Sequence, residues 1–348
     1  MAENSIGTQP IPDRKEDRGI TSSFGLWAGI IFCVVYTLVI WALEPFVPKV
    51  NFAPDTGFAH YLWKLPDPNF LTRLSAWTGY TLHQALIWGC IYYGQSRKLK
   101  YTGGLHPVNI VALGGNAVFV FLHLLQTHIW YDGLAQDVHI MTAQGSVIIL
   151  LVAVLMMENQ RRGLFFGKKL GLIYEPGRAL RKYHGYFFSW AVIWTFWYHP
   201  METTSGHLMG TLYTCLLMLQ GSLFFTRAHV NKWWTISLET IVLVHGTMVA
   251  VMATSSGDMW PQFFFGFFGV FIVTQMHGLG LRKWLRWTFI AAYLVSVFIV
   301  FSTRDLVELN QLVAVPAVEY SLVFVLALFI WCVLWVVGRI TGRATQES

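Results

Sequence analysis

Three histidines and two aspartates fall within HLLQTHIWYDGLAQDVH, residues 123 to 139, in a chain of 348 residues that is 55% hydrophobic and only 12% charged. Imidazole nitrogens and carboxylate oxygens hold zinc or copper, and the same groups move protons. A second stretch, HPMETTSGH (199–207), adds His199, Glu202 and His207. Two further histidines, His83 in TGYTLHQ (78–84) and His245 in VLVHGTMVA (242–250), stand alone inside apolar runs.

The elements that position these residues are membrane helices. A soluble domain carries roughly 25% charged residues, about twice the share found here. Apolar runs of about 20 residues, enough to cross a hydrocarbon core about 30 Å thick, recur along nearly the whole chain. The expected fold is an all-α, polytopic bundle: a polar tail over 1–23, one transmembrane domain over 24–338 with its core at 72–280, and a short tail over 339–348. Hydropathy places ten spans near 24–44, 72–95, 107–130, 138–157, 183–199, 208–226, 235–254, 260–280, 287–303 and 317–338. The first run is longer than the roughly 7–15 apolar residues of a cleavable signal, so it reads as a retained helix.

Charge gives the bundle a direction. With a cytoplasmic N-terminus, all but four of the 24 basic residues fall on inner segments, including Arg14, Lys15, Arg18 and the basic loop 161–182. The exceptions are Lys49, Lys64, Arg73 and Arg304. The positive-inside rule then places both termini in the cytoplasm. Ten of the 18 acidic residues map to the opposite side or its boundary: Glu44, Asp55, Asp67, Asp132, Asp137, Glu202, Asp258, Asp305, Glu308 and Glu319. The net charge of +6 follows from orientation rather than from nucleic-acid binding, since the basic residues form no patch interleaved with aromatics.

Depth sorts the histidines into two layers. His123 lies about seven residues, or roughly 10 Å, below the outer end of its span, and His128 stands at that end. His139 opens the next span, His199 closes the fifth and His207 opens the sixth. Ionisable groups in a bilayer are costly and face the protein interior, where they mark sites. Five histidines with Asp132, Asp137 and Glu202 therefore outline either a metal centre or a hydrogen-bond network that satisfies helix ends. His123 and His128, five apart, point about 140° away from each other on a helix, so a shared ion needs ligands from several helices. In the metal reading His123, His128, His139, His199 and His207 supply ligands, and Asp132, Asp137 or Glu202 accepts a proton. The deeper layer holds His83 and His245 at one depth, the arrangement a bis-histidine haem b requires. Core packing and a proton relay are the other readings of that pair. Glu239, six residues before His245 and about 120° off its face, reads as a structural partner for an inner-leaflet cation. Cys33, Cys90, Cys215 and Cys332 lie singly in apolar segments and read as small buried residues.

DVHIMTAQGSVIILLVAVLMMEN (137–159), preceded by two histidines and followed by HGYFFSWAVIWTFWYHP (184–200) and GHLMGTLYTCLLMLQGSLFF (206–225), resembles the transmembrane protein 45 family. His123, His128, Asp137, His139, Glu158, Gly185, Phe187, Trp190 and Pro200 are the positions that fit its pattern. The resemblance covers 107–225, more loosely 72–280. The chain departs from the family in the wider spacing of its histidine pair and in a larger number of spans. The resemblance implies a helical membrane fold and the location of a site more than a reaction.

Three functions stay open on the sequence. One is a zinc- or copper-dependent hydrolase or oxidoreductase acting on a membrane lipid or another apolar small molecule. The second is a haem-b electron carrier using His83 and His245. The third is a channel, receptor or assembly subunit in which the polar groups only lock helices together. A retinal protein is excluded because no span carries a lysine away from its ends, and a P-loop pump because no GxxxxGK[ST] occurs.

Overall fold

The computed structural model describes residues 20–54, 56, 60–253 and 259–340. Asp55, Asp258, Arg14, Lys15, Arg18, Arg343 and most of the two expected tails lie outside the described residues. Ten α-helices follow one another: α1 (Ser22–Ala42), α2 (Phe70–Ser96), α3 (Pro107–Trp130), α4 (Ile140–Arg162), α5 (Tyr174–Tyr198), α6 (Ser205–Ser222), α7 (Lys232–Ala253), α8 (Trp260–Val273), α9 (Lys283–Phe301) and α10 (Gln311–Ile340). Among the described residues, β-pairing is confined to isolated bridges.

The chain is an all-helical, multi-pass membrane protein. A helix stands at each of the ten sequence positions, but six of them, α1, α3, α4, α7, α9 and α10, are long and apolar enough to cross a membrane. The other four fall short for physical reasons. α8 has 14 residues, about 21 Å at 1.5 Å per residue. α2, α5 and α6 are interrupted by polar residues such as Thr81, His83 and Gln84 in α2 and Lys182 and His184 in α5.

Local chemistry sets the helix ends. Asn69 caps α2 through Thr72 N–H at 3.0 Å, and Thr21 caps α1 through Phe24 N–H. Asn109 accepts from His106 N–H at 2.8 Å at the start of α3, where Pro107 lacks the donor that would otherwise be left over. Such caps satisfy backbone groups that helix geometry leaves unpaired.

Two cores result. The larger joins α1 to α7 around Tyr36, Ile40, Ala112, Leu134, Ile193 and Trp197, so α1 packs in it although it precedes the expected core of 72–280. The smaller lies between α4, α8 and α10 around Val152, Met156, Val270, Val323 and Ala327. Large apolar side chains such as Trp27 and Leu38 of α1, Trp287 and Phe298 of α9, and Leu328 of α10 point outward. Apolar cover on that scale exceeds what a protein surrounded by water carries, and lipid is its physical counterpart. In α9 only the last residue, Phe301, is buried among the described residues. Helix direction alternates, so the ends of α3 and α5 and the starts of α4 and α6 gather at one end of the bundle.

Candidate functional site

The C-terminal end of α5 organises this end of the molecule. His199 follows the last residue of α5 in an extended conformation, so its ring leaves the helix axis and its carbonyl is one of the unpaired groups of a helix end. His123, fully buried on α3, supplies the partner: its Nε2–H donates to that carbonyl at 2.8 Å. The other nitrogen of His123 faces the Gln126 amide at 3.1 Å, and its ring packs 4.3 Å from the Trp197 ring and 4.9 Å from Phe196. The expected inward anchor of the cluster thus works as a clamp on the α5 terminus, with both nitrogens engaged.

His199 and His207 meet beyond that clamp, with Tyr61, Thr204, Trp63 and His245 around them. The His199 and His207 rings stand 5.4 Å apart and nearly perpendicular. Each is oriented through Nδ1, His199 against the Tyr61 hydroxyl at 2.6 Å and His207 against Thr204 Oγ1 at 2.8 Å. Neither Nε2 has a hydrogen-bond partner among the described residues. Trp63 packs edge-on against His207 at 4.2 Å, so residues 60–64, from the connection between α1 and α2, cover the pair. His245 of α7 joins from the side through Gly210 of α6, where a Cβ would stand 3.0 Å from the His245 ring. His245 Nδ1 is buried without a hydrogen-bond partner. Burial first, then the nearby imidazoles of His207, His123 and His245, hold the His199 ring well below the ordinary histidine range and therefore uncharged at neutral pH.

The carboxylates divide. Glu202 accepts from the Tyr131 hydroxyl and lies close enough to Tyr61 to affect its charge state, so it belongs to the histidine pair. Asp132 is 1% exposed, accepts from Gly133 N–H at 2.6 Å through one oxygen and leaves the other without a partner. Its pKa rises from 3.8 to about 6, because desolvation outweighs the hydrogen bond from Gly133. Asp137 stands apart, accepting from Trp77 Nε1 at 2.7 Å and pairing with Arg73 at 3.3 Å in a largely exposed position.

Three expected participants point elsewhere. His128 turns back along its own helix to the Leu124 carbonyl at 2.8 Å, as its 140° offset from His123 requires. His139 caps α4, accepting from Met141 N–H at 3.2 Å. His83 lies in a directed chain: Trp197 Nε1–H donates to its Nδ1 at 3.2 Å, its Nε2–H donates to Asn116 Oδ1 at 2.6 Å, and Asn116 Nδ2–H donates to Ser222 Oγ at 2.7 Å. Phe119 stacks on its face at 4.6 Å. Both His83 nitrogens are thus occupied on the α2/α3/α5 side, whereas His245 faces α6. The glycine near His83 makes room for an indole: a Cβ on Gly79 would overlap the Trp197 ring.

Among the described residues no group of three or more histidine, cysteine, aspartate and glutamate side chains stands close enough to hold a metal ion. Tyr61, Trp63 and Trp197, which contact the histidines, and Tyr131, which holds Glu202, carry no signal in the sequence that marks them for the site. Tyr61 and Trp63 sit in an irregular connection where no helical period marks a buried face. The chain matches no protein-family model, no curated protein and no solved structure.

Proposed function

We propose that this membrane protein holds one zinc or copper ion between His199, His207 and His245, and acts on a lipid or another apolar small molecule that reaches the site from the bilayer. One observation carries the reading: two adjacent uncharged imidazoles, each fixed through Nδ1 by a hydroxyl, present Nε2 atoms with no hydrogen-bond partner among the described residues. Metal-ligating histidines are oriented in this way, with the distal nitrogen held by an outer partner. In the tautomer that donates Nδ1–H to Tyr61 and to Thr204, the lone pair stands on Nε2, as ligation requires. His245, whose Nδ1 is unpartnered, completes the set by a side-chain rotation that Gly210 leaves room for.

Such an ion polarises a carbonyl or lowers the pKa of a bound water. Of the three carboxylates expected to act, Glu202 fits the proton acceptor, because Tyr61, which bonds His199, also lies within its electrostatic reach. Tyr131 holds it in place, and the Tyr61/Trp63 cover excludes bulk water. His123 positions the site through the His199 carbonyl. His128, His139 and Asp137 serve the helix ends.

Elemental analysis of detergent-purified protein tests the assignment. The expected result is about one zinc or copper per chain, lost in the His199→Ala/His207→Ala double variant and kept in His139→Ala. A wild-type protein without stoichiometric metal, or a double variant that keeps it, contradicts the reading.

A further inference from the structure

The smaller core contains charge that the histidine end does not use. Arg162, the last residue of α4, has a side chain 1% exposed, and its Nη2 stands 2.7 Å from Oε2 of Glu239 on α7. The contact is an ion pair by distance without hydrogen-bond geometry: Nε, Nη1 and Nη2 of Arg162 and Oε2 of Glu239 all lack a hydrogen-bond partner. Glu239 therefore has the cation its sequence position called for. Beside this ion pair lies a small cavity lined by Glu239, Glu319 of α10 and Gln275, with aliphatic and phenylalanine walls. Glu319 is 5% exposed and Gln275 7%. Neither side chain has a hydrogen bond or ion pair among the described residues.

Charge counting defines what the cavity lacks. One guanidinium matches one carboxylate, and Arg162 and Glu239 already form that pair. A second ionised carboxylate in the same apolar enclosure has no counter-charge, an arrangement costlier than the pair itself. The other charged or titratable groups nearby do not supply it. Arg161 and Glu158 of α4 are within electrostatic reach of Glu239, but each is more than a quarter exposed and they pair with each other. Tyr213 faces Glu239 from α6, and Tyr320 of α10 donates to or accepts from Thr274 at 2.7 Å. α8 has no titratable residue. The cavity leaves about 10 Å³ for the centre of a water-sized guest, room for about one, and its three polar side chains are too few to replace the hydration shell of a metal cation.

We propose that this cavity is a one-proton binding site, in which Glu319 takes a proton from solvent water and holds it as a neutral acid next to Gln275 and the closed Arg162–Glu239 pair. The O–H bond formed on the carboxylate replaces one broken in a hydronium ion of the solvent, and release re-forms hydronium with the carboxylate restored. The site is separate from the histidine centre and does not depend on a metal there.

Infrared spectroscopy of the full-length protein in lipid nanodiscs reads the proton directly. The expected result at neutral pH is the C=O band of a protonated carboxylic acid, shifted in heavy water, absent from Glu319→Gln and present in Glu308→Gln, whose carboxylate pairs with Arg304. The band is expected to be the same in sodium and in choline chloride. Glutamine is isosteric with the neutral acid, so Glu319→Gln should keep the wild-type Tm. A band that survives in Glu319→Gln, the absence of any such band in wild type, its loss on adding sodium, or a Glu319→Gln variant that does not fold each overturns the proposal.

Discussion

Asp132 shows how a single side chain couples this protein to pH. Its carboxyl is buried with one oxygen unpartnered, and its pKa is raised from 3.8 to about 6. Between those values the folded chain binds a proton that the unfolded chain has released, so this residue makes stability fall as pH rises through the window. Its favourable contribution is complete below about 3.8 and lost above about 6. Asp132→Asn keeps the acceptor for Gly133 N–H and removes the charge. Thermal melts in detergent should show wild type losing stability from pH 5 to pH 8, with Asp132→Asn losing less and exceeding wild type at pH 8. An equal loss in both would assign the pH dependence to another group. Asp132 was visible in the sequence as an acid at a span boundary, but its burial was not, because residues 131–136 fold inward without any periodic pattern.

At the scale of the helix, one tie between α2 and α5 is the Gly79–Trp197 contact, with Trp197 continuing into the His83–Asn116–Ser222 chain on one face and packing His123 on the other. Gly79→Ala forces a fully buried indole to move. Overpacking of this kind costs about 1–3 kcal/mol, and the variant should melt earlier and bind less metal because His123 loses its support. Gly89→Ala, where a Cβ meets nothing within 4 Å, is the control and should be neutral or slightly stabilising. Unchanged stability in Gly79→Ala would show that Trp197 does not set the position of α5. Hydropathy located every helix, since long apolar periods are set by the chain itself. It missed where α5 begins, nine residues before the predicted span at 183, because the basic first turns of α5 read as loop. It also grouped histidines by depth alone, and rotation about the helix axis then separated His128 and His139 from His199 and His207.

For the whole molecule, the alternating helices place the His199/His207 pair at one end and the Arg162–Glu239 pair nearer the other. On the positive-inside expectation that both termini are cytoplasmic, tags fused to both termini of the intact protein should be protected in sealed right-side-out vesicles and digested only after permeabilisation. Digestion of either tag without permeabilisation would contradict a cytoplasmic placement of both ends. The helical, membrane-embedded character was legible from composition. Which histidines converge was not, because the decisive partners, Tyr61, Thr204 and the His199 carbonyl, come from connections whose course only the folded chain fixes.

The most direct test of the metal reading is anomalous X-ray scattering from crystals of the wild-type protein grown with zinc. A peak within about 2.0–2.1 Å of Nε2 of both His199 and His207, with His245 turned towards it and Tyr61 still on His199 Nδ1, is the predicted result. The contrary result is a zinc peak elsewhere, or none, with His199 and His207 keeping their present contacts and both Nε2 atoms empty.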